Sequence, residues 1–182
     1  MIKPFFLFVV GVMLTSAALA SPASAQNQAS RVSKPGFHYE AGVGVSYSGF
    51  GNYVDLSPEA GVLYRIGAKD AFGLTVQGRL PMYKGESHLS RDSYQMVNLF
   101  LSHIHDFADA PRSFFLEYEI GLADLFNHRG PHLGVEAGYR IPLAGWGALR
   151  MAAVMDWERL MMKFTPEWRS AAFVGVTVRL EI

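Results

Sequence analysis

Cysteine is absent from the 182 residues, which excludes a disulfide framework, a thiolate metal site and an acylated lipobox. Beyond the N-terminal segment, no apolar run approaches the ~20 residues that a membrane-spanning helix needs. An excess of either charge is missing too. Sixteen Lys and Arg balance sixteen Asp and Glu, so no global basic field exists to attract nucleic acid. Charge itself is scarce, at 18% of residues against 50% hydrophobic, and 18 residues are Gly. The chain is therefore apolar for a soluble domain, yet too interrupted for a helical membrane protein.

The N-terminal segment differs from the rest. Lys3 supplies a positive start, Phe5 to Ala20 is apolar apart from Gly11, Thr15 and Ser16, and Ala23-Ser24-Ala25 precedes Gln26. Positive start, apolar centre and an A-x-A site describe a cleaved secretory signal over residues 1–25. A second possible cut follows Ala18-Leu19-Ala20. A retained membrane anchor is the alternative, against which stand the shortness of the apolar stretch and the cleavage pattern that ends it. Residues 26–35 read as a flexible leader, and residues 36–182 as one domain.

From Phe37 onward the pattern has period two, the signature of strands with one apolar and one polar face. Phe37, Tyr39, Ala41, Val43, Val45 and Tyr47 alternate with His38, Glu40, Gly42, Gly44, Ser46 and Ser48. A second segment from about Ser57 to Ile66 sets Ala60, Val62, Tyr64 and Ile66 against Glu59, Gly61, Leu63 and Arg65. A third sets Phe72, Leu74, Val76, Gly78 and Leu80 against Gly73, Thr75, Gln77 and Arg79. In the fourth, the least regular, Val97, Leu99 and Leu101 oppose Asn98, Phe100 and Ser102. The fifth carries Glu117, Glu119, Gly121 and Ala123 on its polar face, and the sixth Gly134, Glu136, Gly138 and Arg140. The seventh carries Arg150, Ala152, Val154 and Asp156, and the last Phe173, Gly175, Thr177, Arg179 and Glu181. Eight segments of about ten residues match the strand length of a membrane barrel. The expected fold is all-β, an eight-stranded antiparallel up-and-down transmembrane β-barrel without room for a second domain.

A soluble barrel of the lipocalin kind, with its apolar face inward, would show the same alternation. The polar face favours the inverted arrangement because it is rich in Gly: Gly42, Gly44, Gly61, Gly73, Gly121, Gly134, Gly138 and Gly175. Gly weakens an exposed strand, whereas a narrow lumen needs it opposite long Arg and Glu side chains. Aromatics near the ends of the apolar face, Phe37, Tyr47, Tyr64, Phe72, Tyr139 and Trp157, suit girdles at two lipid–water interfaces.

With this strand count, alternation, signal peptide and terminal strand, residues 36–182 resemble small outer-membrane barrels of the OmpA-transmembrane-domain and OmpX type. The resemblance implies a bacterial, Gram-negative cell-envelope protein of porin-like fold in the outer membrane. Its implied partners are membrane lipid, lipopolysaccharide and the barrel assembly machinery. The chain departs from that family at Ile182, where an aromatic residue is usual. Phe115 to Leu122 and the Ile-terminated last strand also resemble the lipid A deacylase barrels. That family's His-x-Ser motif is missing, because the corresponding stretch reads Met155-Asp156-Trp157-Glu158.

The expected lumen network comprises Glu40, Glu59, Glu117, Glu119 and Glu136 with Arg65, Arg79, Arg140, Arg150 and Arg179. Five acids meeting five bases read as paired charges that plug the barrel, since an unpaired buried charge costs several kcal/mol. Two groups of residues have the types that chemistry needs. His103 and His105 are spaced to share a metal, but the same pattern caps strand ends. Ser87, His88 and Ser90 combine nucleophile and base types in a polar loop. No catalytic residue, metal site or cofactor is assigned. The segment Glu158 to Trp168 reads as an outer loop whose Leu160, Met161, Met162, Phe164 and Trp168 contact lipid or a partner. The expected role is structural or surface-interacting. The alternatives are a lipid A-modifying enzyme, or an inactive relative of one, and a soluble hydrophobic-ligand carrier.

Overall fold

The structure, a computed structural model, describes residues 35–48, 53–84, 96–109, 112–126, 129–143, 147–161 and 168–182. The signal segment and nearly all of the leader lie outside the described residues. Eight strands follow one another: β1 (Gly36–Ser48), β2 (Tyr53–Arg65), β3 (Asp70–Lys84), β4 (Met96–Asp106), β5 (Ser113–Ala123), β6 (Gly130–Leu143), β7 (Gly147–Met161) and β8 (Trp168–Glu181). Each pairs antiparallel with its sequence neighbour, and β1 pairs with β8, so the sheet is an all-β closed up-and-down barrel. Closure leaves no unpaired edge. Tyr39 and Ile182 complete it, each backbone N–H donating to the other's carbonyl at 2.9 and 2.8 Å. Because the strand number is even, Gly36 and Glu181 lie at the same end, called here the terminal end.

The strands are longer than the alternating segments of the sequence. They run to 15 residues in β3 and β7. β2 begins at Tyr53, not near Ser57, and the reason is Pro58. Lacking an N–H, it interrupts the β2–β3 ladder, which passes from Leu56↔Leu80 to Glu59↔Gln77. On the β1 side the register continues unbroken through Pro58↔Val43 to Ser48↔Tyr53. A strand that looks broken in sequence is thus held from its other neighbour.

The alternation places charge and glycine inside, and apolar side chains outside. Arg65, Arg79, Arg140, Arg150 and Arg179 are among the largest fully buried side chains, whereas Phe37 is 73% and Ile120 63% exposed. Two inward apolar clusters complete the interior. Met96, Ala123, Leu160, Ala171 and Phe173 gather toward the end opposite the termini. Leu63, Ala71, Ile104, Phe115 and Ala152 lie nearer the terminal end.

The inward glycines exist for space. A Cβ on Gly175 would stand 2.6 Å from Ser46 Cα and still closer to the Val45 carbonyl oxygen, both on the neighbouring β1 backbone. A backbone cannot step aside as a side-chain end can. Overpacking of this kind costs typically 1–3 kcal/mol. Gly175→Ala is therefore expected to lower the urea midpoint of the folded barrel by an amount in that range. Gly67→Ala, in a turn where the added Cβ meets nothing within 4 Å, is expected to leave it unchanged. Equal effects would show that crowding does not set the inner face.

Candidate functional site

The polar groups that chemistry would use lie inside the barrel in three levels. At the terminal end, Arg65 on β2 donates from Nε and Nη2 to the two oxygens of Glu181 at 2.6 and 2.9 Å. Its Nη1 reaches Asp106 at 3.0 Å. Arg140 Nη1 stands 3.2 Å from the same Asp106 oxygen, and Ser113 donates to the other at 2.6 Å. Forked Arg–carboxylate contacts of this kind fix geometry as well as charge.

At mid-height, Arg179 on β8 contacts four carboxylates. Nε and Nη2 hold Glu59 at 2.5 and 3.1 Å. Nη1 reaches Glu117 at 2.7 Å, and Nη2 also reaches Glu136 at 2.7 Å and Glu119 at 3.3 Å. Arg150 pairs with Glu40 at 2.8 Å and with Glu117, while its guanidinium lies 4.5 Å from the Phe115 ring centroid. Thr75 and Thr177 donate to the remaining oxygens of Glu40 and Glu136.

The third level lies toward the far end. Arg79 on β3 donates to Glu158 at 2.9 Å and to Asp156, and it stacks 3.9 Å from the Phe173 ring centroid. His132 on β6 stands between two carboxylates, with Nδ1 3.1 Å from Glu158 and Nε2 3.3 Å from Glu119. Asn98 donates to Glu158 at 2.8 Å and to Gln77 at 3.2 Å.

All ten residues named from the sequence lie inside the wall, but the balance of five against five does not hold. Asp55, Asp106, Asp156, Glu158 and Glu181 are buried with them, so ten carboxylates face five guanidiniums and two histidines, His38 and His132, among the described buried residues. Asp156 and Glu181 already fall on the inward phase of the alternation. Asp55 and Glu158 lie where strands continue past the apolar pattern. Asp106 ends β4, and Pro131 beside His132 makes the start of β6 read as a turn.

The reading of Glu158 to Trp168 as one loop also needs correction. β7 extends to Met161 and β8 begins at Trp168, which pair with each other. Glu158 and Leu160 point into the lumen and are buried. Trp168 is partly exposed on the wall, with the Arg159 guanidinium 5.8 Å from its ring. Met162 and Phe164 lie outside the described residues, as do Ser87, His88 and Ser90.

His103 and His105 fall on the outer phase of β4, beside Asp70 on β3. Their ring nitrogens stand 3.2 and 2.9 Å from one Asp70 oxygen. They form part of an aromatic band around the terminal end. Phe72 stacks on His103, Phe107 meets His105 edge-on, and Phe37–Tyr64 and Phe114–Tyr139 extend it around the wall. On the penultimate strand, Met155 and Trp157 face outward while Asp156 and Glu158 face inward. Neither face of this stretch carries a His or a Ser.

No protein-family model matches the chain, and neither does any curated protein. Two β-barrels are among the solved structures that share its fold. Neisserial surface protein A (NspA) superposes with a TM-score of 0.52 at 16% identity, over 79% of this chain and 94% of that one. The N-terminal β-barrel domain of Pseudomonas aeruginosa OprF gives 0.50 at 10% identity, over 80% and 97%. The chain has the small-barrel fold of these two structures.

The acidic surplus makes the two signs of charge unequal in importance. Removing Arg179 takes a cation from four carboxylates, of which Glu117 keeps Arg150 and Glu119 keeps His132, and breaking a buried pair costs on the order of 3–5 kcal/mol. Arg179→Met is expected to lower the unfolding midpoint by at least that much. Lys69→Ala, which breaks an exposed pair with Asp109, is expected to cost under about 1 kcal/mol. Asp55 is buried with neither oxygen hydrogen-bonded, so Asp55→Asn is expected to be neutral or stabilising. A destabilising Asp55→Asn together with a harmless Arg179→Met would reverse the account.

Proposed function

We propose that the mature chain is an integral barrel of a bacterial outer membrane, exported by its N-terminal signal. Its lumen is closed by the charged network, and its role is structural or surface-interacting. The observation that carries this reading is the inverted wall. A soluble barrel hides apolar side chains and shows charge, whereas here Phe37, Phe114, Met155 and Val176 stand on the outside and five arginines are within. That outer surface needs an apolar solvent. The aromatic band at the terminal end fits a lipid–water interface, where amphipathic rings collect. The fold shared with two outer-membrane barrels supports the same location. Its partners in this reading are outer-membrane lipid and lipopolysaccharide, and the barrel assembly machinery during biogenesis.

Eight strands leave room for side chains but not for a wide aqueous path. With arginines and two apolar clusters filling it, the lumen holds no steady stream of ions. A lipid A-modifying enzyme would need a nucleophile or general base at the lipid-facing surface. The penultimate strand offers Met155 and Trp157 there.

Cell fractionation tests the location: the protein is expected with outer membranes, in a heat-modifiable form, and recovery from the soluble periplasm would refute it. Planar-bilayer recording tests closure. Pure protein is expected to give no steady porin-like current, and large stable currents would make it a channel. An unchanged lipid A mass spectrum with and without the protein is expected, and deacylated species would establish the enzyme. Val176→Arg is expected to cost roughly 2–4 kcal/mol if it lies near the bilayer midplane, as read by the urea midpoint in lipid vesicles.

A further inference from the structure

The arginine network leaves two things unexplained in the far half of the lumen. The first is charge. Asp55, Asp156 and Glu158 share that region with one guanidinium, Arg79, and one imidazole, His132, among the described buried groups, while Glu119 stands between His132 and Arg179. The terminal level instead balances Asp106 and Glu181 against Arg65 and Arg140. Even a doubly protonated His132 leaves the far half short of positive charge. The second is unused oxygen. Asp156 Oδ1 and Glu158 Oε2 have no hydrogen-bond partner, although Asp156 is 2% exposed and Glu158 0%. Carboxylate oxygens taken from water need a partner.

We propose that His132, Glu119 and Asp156 form a binding site for a divalent transition-metal ion, with zinc the ion that best fits the donors. The three groups offer one nitrogen and two oxygens, all within 4.8 Å of one another. His132 Nε2 stands 3.3 Å from Glu119 Oε2. Tetrahedral zinc with bonds of about 2.0–2.1 Å separates adjacent ligand atoms by roughly that distance. Glu158 Oε1, 3.1 Å from Nδ1, accepts the Nδ1–H and leaves the Nε2 lone pair for the metal, the usual carboxylate–histidine–metal relay. Glu158 is a positioning residue in this arrangement, held by Arg79 and Asn98. Phe100 stacks on the imidazole at 4.9 Å and 15°, which fixes the ring plane.

Gly134 keeps the centre open. A Cβ there would collide with Glu119 Oε2 and stand 2.9 Å from the unpartnered Asp156 Oδ1, so both oxygens border the same small space. Imidazole with carboxylates suits zinc better than calcium or magnesium, which prefer all-oxygen shells. Three protein donors leave a fourth position for water. The neighbouring group of Glu117, Glu119 and Glu136 is different, because the Arg179 guanidinium already supplies its cation. The inference does not depend on where the barrel resides.

The cluster of Met96, Leu160 and Phe173 covers this level, so the ion is expected to enter as the barrel folds. The test refolds the unfolded full chain into detergent with zinc chloride, strips loose metal with a chelator, and counts zinc by mass spectrometry. About one zinc per chain is expected in the wild type and in His103→Asn/His105→Asn, which removes the exposed pair. None is expected in folded His132→Gln or Asp156→Asn. Zinc is expected to raise the thermal midpoint of the wild type and leave that of Asp156→Asn unchanged. Cobalt chloride in place of zinc is expected to give the strong visible absorption of a four-coordinate site. If the lumen variants fail to fold, stoichiometry and the cobalt spectrum of the wild type still decide. A wild type that retains no metal would overturn the proposal and leave His132 as a structural bridge between Glu119 and Glu158. Zinc lost only on removal of His103 and His105 would overturn it equally.

Discussion

One guanidinium ties half of the barrel together. Arg179 reaches from β8 to Glu59 on β2, Glu117 and Glu119 on β5, and Glu136 on β6. Such a span is possible only across a narrow lumen, and the lumen is narrow only because glycine stands where chains press closest. A Cβ on Gly42 would meet Arg179 Cγ at 2.6 Å. Glycine and arginine are therefore two parts of one arrangement, since the first clears the volume that the second fills. Arg65 and Arg79 repeat it at the two ends, the first forked between Asp106 on β4 and Glu181 on β8, the second between Asp156 and Glu158 on β7.

A charged interior dictates the exterior. Every second residue of a strand points the same way, so strands that send Glu and Arg inward must send their apolar residues outward. Tyr118 and Ile120 flank Glu119 for that reason, and Val176 and Val178 flank Thr177. Burying that outer face calls for surroundings as apolar as itself. The aromatic band at the terminal end and the polar turns beyond it mark where those surroundings stop.

Much of this was legible in the sequence because period two survives any detail of packing. The inward phase of β3, β5 and β8 follows directly from alternating residues such as Gly73, Thr75, Gln77 and Arg79. What escapes is whatever lies beyond the apolar stripe. Glu158 looks like a loop residue because its neighbours Arg159 and Leu160 break the stripe, although backbone pairing with Ala171 keeps it in the wall. Asp55 hides behind Pro58, and His132 behind Pro131. The acidic surplus is legible only in part, because Asp156 and Glu181 fall on the inward phase of the alternation whereas Asp55, Asp106 and Glu158 lie near strand ends, beyond its clearest stretches. Which Glu meets which Arg depends on the stagger of strands far apart in sequence, and no local pattern carries that.

The absence of cysteine makes the central claim directly measurable, because any single cysteine introduced is the only one. Spin labels at Val174, Val176 and Val178 on β8 and at Tyr118, Ile120 and Leu122 on β5 report the outer face in reconstituted vesicles. A label at Ala152 reports the lumen. If charge is inside and lipid outside, the outer labels collide freely with oxygen and scarcely with a water-soluble nickel complex, most strongly at mid-strand, and the lumen label is shielded from both. Outer labels open to the nickel complex along their whole length would contradict the inverted wall.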